Sequence, residues 1–105
     1  MHRIAFRLRV KPDRLDEYLE IHRTVWPDLL ADMRAAGYRN YSIFADGNEL
    51  FGYLECDDWD AAQKALASSD ANRRWQAWMT EYLETPVDPD LERPLHLLDR
   101  VFFME

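Results

Sequence analysis

The chain contains no apolar run of the ~20 residues that a membrane-spanning helix needs, one cysteine, three glycines and fewer basic than acidic side chains. Each shortage removes a class of protein. Without an apolar span no membrane partner is expected. The first residues, Met1 to Arg9, alternate charge with hydrophobe instead of building a signal-peptide core, so a cytoplasmic protein is expected. The lone Cys56 cannot form an intrachain disulfide, and its place at the end of a strand-like run suits a small buried hydrophobe better than a nucleophile. Gly37, Gly47 and Gly52 are too few and too scattered for a phosphate-cradling loop. His2, His22 and His96 lie far apart, and no HxxE, HxH or CxxC spacing joins them. The expectation is therefore no metal and no cofactor. With 13 basic against 20 acidic residues the net charge is −7, which repels phosphate backbones and anionic lipid, so nucleic acid is not expected as a partner.

What is present fits one domain. At 105 residues and 48% hydrophobic, residues 1–105 form a single unit with one core. Residues 3–10 put Ile4, Phe6, Leu8 and Val10 on one side and Arg3, Ala5, Arg7 and Arg9 on the other, the period-two pattern of a strand with one buried face. Lys11-Pro12-Asp13 ends that strand and starts a helix. Leu15, Leu19 and Trp26 are expected on roughly one side of it, and Trp26-Pro27 to bend or restart it. Asp28 to Ala36 resumes the helix and Gly37 stops it. Tyr38 to Asp46 and Glu49 to Cys56 flank the turn Gly47-Asn48 and read as a hairpin. Asp57-Asp58 caps a short helix over Trp59 to Ala67, and Ser68-Ser69-Asp70 a longer one over Ala71 to Leu83. An acidic connector with Pro86, Pro89 and Pro94 leads to a closing strand, Leu95 to Met104.

Counting the two later helices as one interrupted unit, the order is β-α-β-β-α-β. That is the ferredoxin-like α+β plan, a four-stranded antiparallel sheet with helices on one face. The other face is left to be covered, and the adjacent Phe102 and Phe103 add apolar surface at the end of the chain. A second copy fits there, so a homodimer is expected, with exchange of the final strand as one route.

Tyr18 and His22 are four residues apart on the first helix and share its apolar face. Both bring polar atoms that require partners when buried, and an imidazole titrates near neutrality, so the pair suggests a pocket for acid/base chemistry. A satisfied core histidine is the plainer alternative. Tyr41, on the second strand, falls near that helix in this fold, as a site residue or as a core or interface tyrosine. Trp75 and Trp78, three apart, lie side by side on the third helix, where a flat indole with an N–H donor suits either a sugar ring or the core. Four tryptophans and five tyrosines beside a net acidic charge favour a neutral hydroxylated ligand, a monosaccharide, with an aromatic compound or quinol as alternatives.

Tyr18-x-x-x-His22-x-x-x-Trp26-Pro27, Asn40-Tyr41-Ser42-Ile43, Leu50-Phe51-Gly52-Tyr53-Leu54-Glu55, Arg74-Trp75 with Trp78-Met79, and Val101-Phe102-Phe103 together resemble the L-rhamnose mutarotase family over nearly the whole chain. The resemblance implies a dimeric ferredoxin-like domain and an isomerase interconverting the α and β anomers of L-rhamnose without a cofactor. It implies His22 as catalytic acid, and Tyr18, Tyr41 and Trp75 as sugar-binding. The family's second adjacent tryptophan is Gln76 here, so a polar amide replaces part of the apolar platform at that substrate-binding position. Other readings are a mutarotase for another sugar such as L-fucose, a cofactor-free monooxygenase of the same fold, and a binding domain without turnover.

Overall fold

A computed structural model describes residues 1–84 and 96–105, so the three prolines of the connector, and Leu95, lie outside the described residues. Four strands form one sheet in the order β2-β3-β1-β4, every pairing antiparallel: β1 (His2–Arg9), β2 (Arg39–Asp46), β3 (Glu49–Cys56) and β4 (His96–Leu98). Among the described residues four α-helices accompany it: α1 (Leu15–Ile21), α2 (Pro27–Ala35), α3 (Trp59–Ala67) and α4 (Asp70–Met79). This is the expected ferredoxin-like α+β arrangement.

Strand alternation decides what the helices cover. Phe6 and Val10 are buried, as are Leu50, Gly52, Leu54 and Cys56 of β3, while the intervening Arg7, Arg9 and Phe51 face the open side. Cys56 is thus the buried hydrophobe its position suggested. Phe6 pairs with Gly52, and a Cβ at Gly52 would stand 2.0 Å from the Phe6 Cζ, so the glycine makes room for that ring.

The first helix is more broken than the sequence suggests. A 3-10 turn over Pro12–Arg14 leads into α1, a second over His22–Thr24 ends it, and Trp26 is extended before α2 begins at Pro27. The buried stripe is centred on Tyr18 and runs through Leu15, Ile21 and Val25, so Leu19, about 100° further round the same helix, is exposed, contrary to its expected place beside Trp26. Asp58 caps α3 by accepting from the Ala61 N–H, and Ser69 caps α4 by accepting from the Asn72 N–H. The Ser69 hydroxyl also donates to Asp32 Oδ2 at 2.6 Å, tying the start of α4 to α2. Helix α4 stops at Met79, short of the expected Leu83, which instead bridges Val10.

The closing strand is shorter than Leu95 to Met104: β4 holds three residues, paired with Ala5, Phe6 and Arg7. Beyond Leu98 the chain leaves the ladder although β1 continues past Ala5 to His2, and Val101, Phe102 and Met104 are exposed. Two buried clusters fill the space under the helices. One joins Val10, Tyr18, Leu29, Leu50, Trp75 and Met79; the other joins Phe6, Tyr38, Leu54, Ala62 and Leu66. Leu8 and Met33 pack against both.

Candidate active site

His22 stands at the C-terminal end of α1, where the helix tightens into a 3-10 turn and the His22 backbone N–H donates to the Tyr18 and Glu20 carbonyls. Its Nδ1 lies 2.8 Å from the Tyr18 carbonyl oxygen. A carbonyl oxygen only accepts, so Nδ1 carries the proton and donates it, leaving the Nε2 lone pair for another partner. The imidazole is half-buried, and burial lowers its pKa below the ordinary 6.5 more than the backbone bond raises it. It is therefore mostly neutral near pH 7, with Nε2 as a proton acceptor.

The ring is sandwiched by aromatics. It stacks on Tyr18 at 4.2 Å between centroids and meets Trp75 edge-on at 5.4 Å. Trp75 is held in turn by Trp26 at 5.0 Å and Trp78 at 5.6 Å, both nearly perpendicular to it. Of the two tryptophans on α4, Trp75 reaches the cleft beside His22, whereas Trp78 stacks parallel on Trp26 and faces a shallower groove.

Tyr41 reaches the same cleft because β2 is irregular. Arg39 pairs with Glu55 and Ser42 with Tyr53, so Asn40 and Tyr41 together oppose Leu54 alone. Asn40 takes a φ of 50°, a conformation asparagine tolerates, and donates to Glu55 Oε1 at 2.7 Å. In an unbroken strand Tyr41 and Arg39 would share a face; the bulge turns Tyr41 to the helix side, edge-on to Phe6 at 6.1 Å and Tyr38 at 5.8 Å. Burial raises both phenols, that of Tyr18 to about 12, so both stay protonated donors across the physiological range.

All five expected site residues, Tyr18, His22, Tyr41, Trp75 and Gln76, line one cavity between helices and sheet. Gln76 is half-buried, its Nε2 a long 3.5 Å from Asn72 Oδ1. Asn72 also lines the cavity and was not singled out from the sequence, although it sits one helical turn before Gln76 on the same face. Met79, Tyr38 and Trp59 line it too, and nothing in their local pattern separates them from core residues. Among the described residues no group of three His, Cys, Asp or Glu side chains could hold a metal ion, and no helix is long and apolar enough to cross a membrane.

A poised imidazole, two protonated phenols and an indole around one cleft above an antiparallel sheet define an acid/base enzyme of the ferredoxin-like class. The family model for L-rhamnose mutarotase matches residues 3–104, and the chain belongs to that family. An L-rhamnose mutarotase from Oceanobacillus iheyensis is 36% identical over 92% of this chain and 99% of its own length. The crystal structure of L-rhamnose mutarotase FA22100 from Formosa agariphila aligns with a TM-score of 0.80 at 29% identity, covering 100% of both chains. The architecture is shared more widely: an antibiotic biosynthesis monooxygenase structure gives a TM-score of 0.63 at 18% identity over 96% of this chain and 99% of that one, a likeness of fold alone.

Proposed function

We propose that the protein interconverts the α and β anomers of L-rhamnose by acid/base-catalysed opening and closing of the pyranose ring. The observation that carries this reading is the state of His22: Nδ1 committed to the Tyr18 carbonyl, Nε2 free to accept, in a cleft walled by an indole and two phenols. Ring opening removes the proton from the anomeric hydroxyl and delivers one to the ring oxygen. Both oxygens are bonded to C1, so one nitrogen can serve both. His22 enters neutral, takes the hydroxyl proton at Nε2, and the imidazolium so formed is the acid that protonates the ring oxygen. Rotation about C1–C2 in the free aldehyde and the reverse proton steps give the other anomer.

Trp75 presents a flat face to the sugar's C–H surface, while Tyr18 and Tyr41 donate to hydroxyls. Gln76 binds by hydrogen bonding where a second indole would stack, so its contribution depends on a hydroxyl within reach of the amide. Because mutarotation also runs in water, positioned acid/base groups worth about 10² to 10⁴ supply much of the acceleration. A homodimer in the cytoplasm is part of the same reading, supported by the apolar open face of the sheet and the exposed Phe102.

Saturation-transfer NMR between anomeric protons, run over a panel of L-rhamnose, L-fucose and other aldoses, tests reaction class and specificity together. The expected result is accelerated exchange, fastest with L-rhamnose. Exchange at the uncatalysed rate for every sugar, or oxygen uptake with a phenol or quinol, would refute the proposal.

A further inference from the structure

The cavity that holds His22 has a volume of about 1490 Å³. Ligand pockets of roughly 300–1000 Å³ already take drug-sized molecules, so one monosaccharide ring leaves much of this space unused. The far half has its own chemistry. Trp59 stacks on Tyr38 at 6.0 Å between centroids, a second aromatic platform in the same cleft. Tyr41, edge-on to Tyr38, lies between that platform and the His22 end.

Charge is segregated as well. The chain carries a net −7, yet the charged residues lining this cavity are Arg34, Arg39, Lys64 and Arg73 against Asp60 alone. Arg39 is shared with Asp57 at 3.5 Å; among the described residues Arg34, Lys64 and Arg73 make no ion pair with a carboxylate. With Arg39 matched by Asp57, three cations beside Asp60 on an acidic protein make a local positive field that draws anions and repels nothing in a neutral sugar.

We propose that this half of the cleft is a subsite for an anionic substituent, so that the enzyme also acts on reducing-end L-rhamnose carrying a negatively charged group. The inference rests on the mutarotase reading above and names a wider substrate class for that site. The reaction fixes where the substituent sits. Mutarotation needs a free anomeric hydroxyl, so the group cannot be on O1. It fits best on O4, which lies across the pyranose ring from C1 and points away from His22. A glycosidically linked uronate would place its ring on the Trp59–Tyr38 platform and its carboxylate among the cations; a sulfate or phosphate ester on O4 would supply the charge without the ring.

Anomer exchange by NMR would be measured at low ionic strength with L-rhamnose, 4-O-glucuronosyl-L-rhamnose, the neutral 4-O-glucosyl-L-rhamnose and L-rhamnose 4-sulfate. The expected kcat/KM for the uronosyl disaccharide exceeds that of the neutral disaccharide by about tenfold, and the gap closes as salt rises. Enhancement of the uronosyl disaccharide alone assigns both the platform and the charge, and equal enhancement of the sulfate assigns the charge only. A double variant, Lys64→Gln with Arg73→Gln, should bring the anionic-to-neutral ratio close to one. Exchange of L-rhamnose with no preference for either anionic sugar, or a preference that the double variant and salt leave intact, would overturn the subsite and spare the mutarotase reading. Uncatalysed rates for every sugar would overturn both.

Discussion

On the side of the sheet that the helices cover, Phe6, Leu50 and Leu54 are sealed in the core; on the other side Phe44 and Phe51 of the same hairpin and Leu98 of β4 lie exposed beside ion pairs such as Arg3–Glu55 and Arg9–Glu49. One alternation generates both surfaces, because successive side chains on a strand point to opposite faces. The covered face is where proton chemistry can be tuned, since burial depresses the His22 imidazole and raises the phenols of Tyr18 and Tyr41. The open face keeps its charges in water and adds apolar surface, Phe44, Phe51 and Leu98, that the described residues leave exposed. On the reading proposed above the two faces divide the work, chemistry on the covered one and association on the open one.

The sharpest way to break that comparison is at His22. Replacing it by alanine should slow anomer exchange by about 10² to 10⁴, while circular dichroism and melting temperature stay near wild type because the side chain is half-buried at the end of a helix. Exchange that survives the substitution would remove His22 from the chemistry and place the division of labour elsewhere.

Next in size is a pair of substitutions one residue apart on β3. Gly52→Ala puts a methyl group against the buried Phe6 ring, whose nearest atoms lie at 2.0, 2.3 and 2.6 Å from the ideal Cβ position. Overpacking of that kind should destabilise the protein by about 1–3 kcal/mol in chemical denaturation. Phe51→Ala, pointing to the open face, should cost the protomer clearly less. Equal losses would mean that the open face is already packed.

The acid limb of the activity profile separates the faces in a third way. His22 has its folded pKa lowered from 6.5 by burial, so the unfolded chain binds the proton more readily. Stability linked to this group is full above pH 6.5 and is lost as pH falls through the lower folded value. The neutral form is also the one that accepts the anomeric proton, so kcat/KM should be level near pH 7 and fall toward tenfold per unit only below the folded pKa. A decline that begins well above 6.5 would show that the imidazole is not desolvated as its surroundings imply.

The sequence already displayed most of this plan, because periodicity reports which side of an element is buried: the alternation of residues 3–10, the Pro27 restart, and Asp58 and Ser69 as caps all appear where expected. Tyr18, His22, Tyr41, Trp75 and Gln76 were legible as residues, and their meeting in one cavity followed from the fold. What stayed hidden depends on long-range geometry. The bulge at Asn40 that turns Tyr41 inward is a property of two strands together, and Arg39-Asn40 in isolation does not reveal it. Leu19 looked buried because it follows Leu15 by one turn, but the stripe is centred on Tyr18 and runs through Leu15 and Ile21, which leaves Leu19 on the solvent side. The fourth strand looked long because residues 101–104 are apolar, but apolar composition alone does not extend a ladder: pairing with β1 stops at Ala5–Leu98, and Val101, Phe102 and Met104 lie exposed.

The smallest expected effect on the protomer is also the most telling about the open face. Phe44 is 66% exposed, opposite Phe51 across the β2–β3 ladder, and the chain end brings Phe103 over Arg3 at 4.3 Å on the neighbouring strand. A face that carries Phe44, Phe51 and Leu98 beside ion pairs between its two central strands matches itself under a two-fold axis, because each copy presents the same patch. Phe44→Glu should therefore change protomer stability by no more than about 0.5 kcal/mol, since the side chain meets mostly water, yet it would set two carboxylates facing each other in a dimer. Sedimentation velocity across a range of concentrations should show a dimer for the wild type and a monomer for the variant, with His22-dependent exchange retained in each protomer. A wild type that sediments as a monomer, or a variant that still dimerises, would mean that the apolar residues on this face serve no self-association.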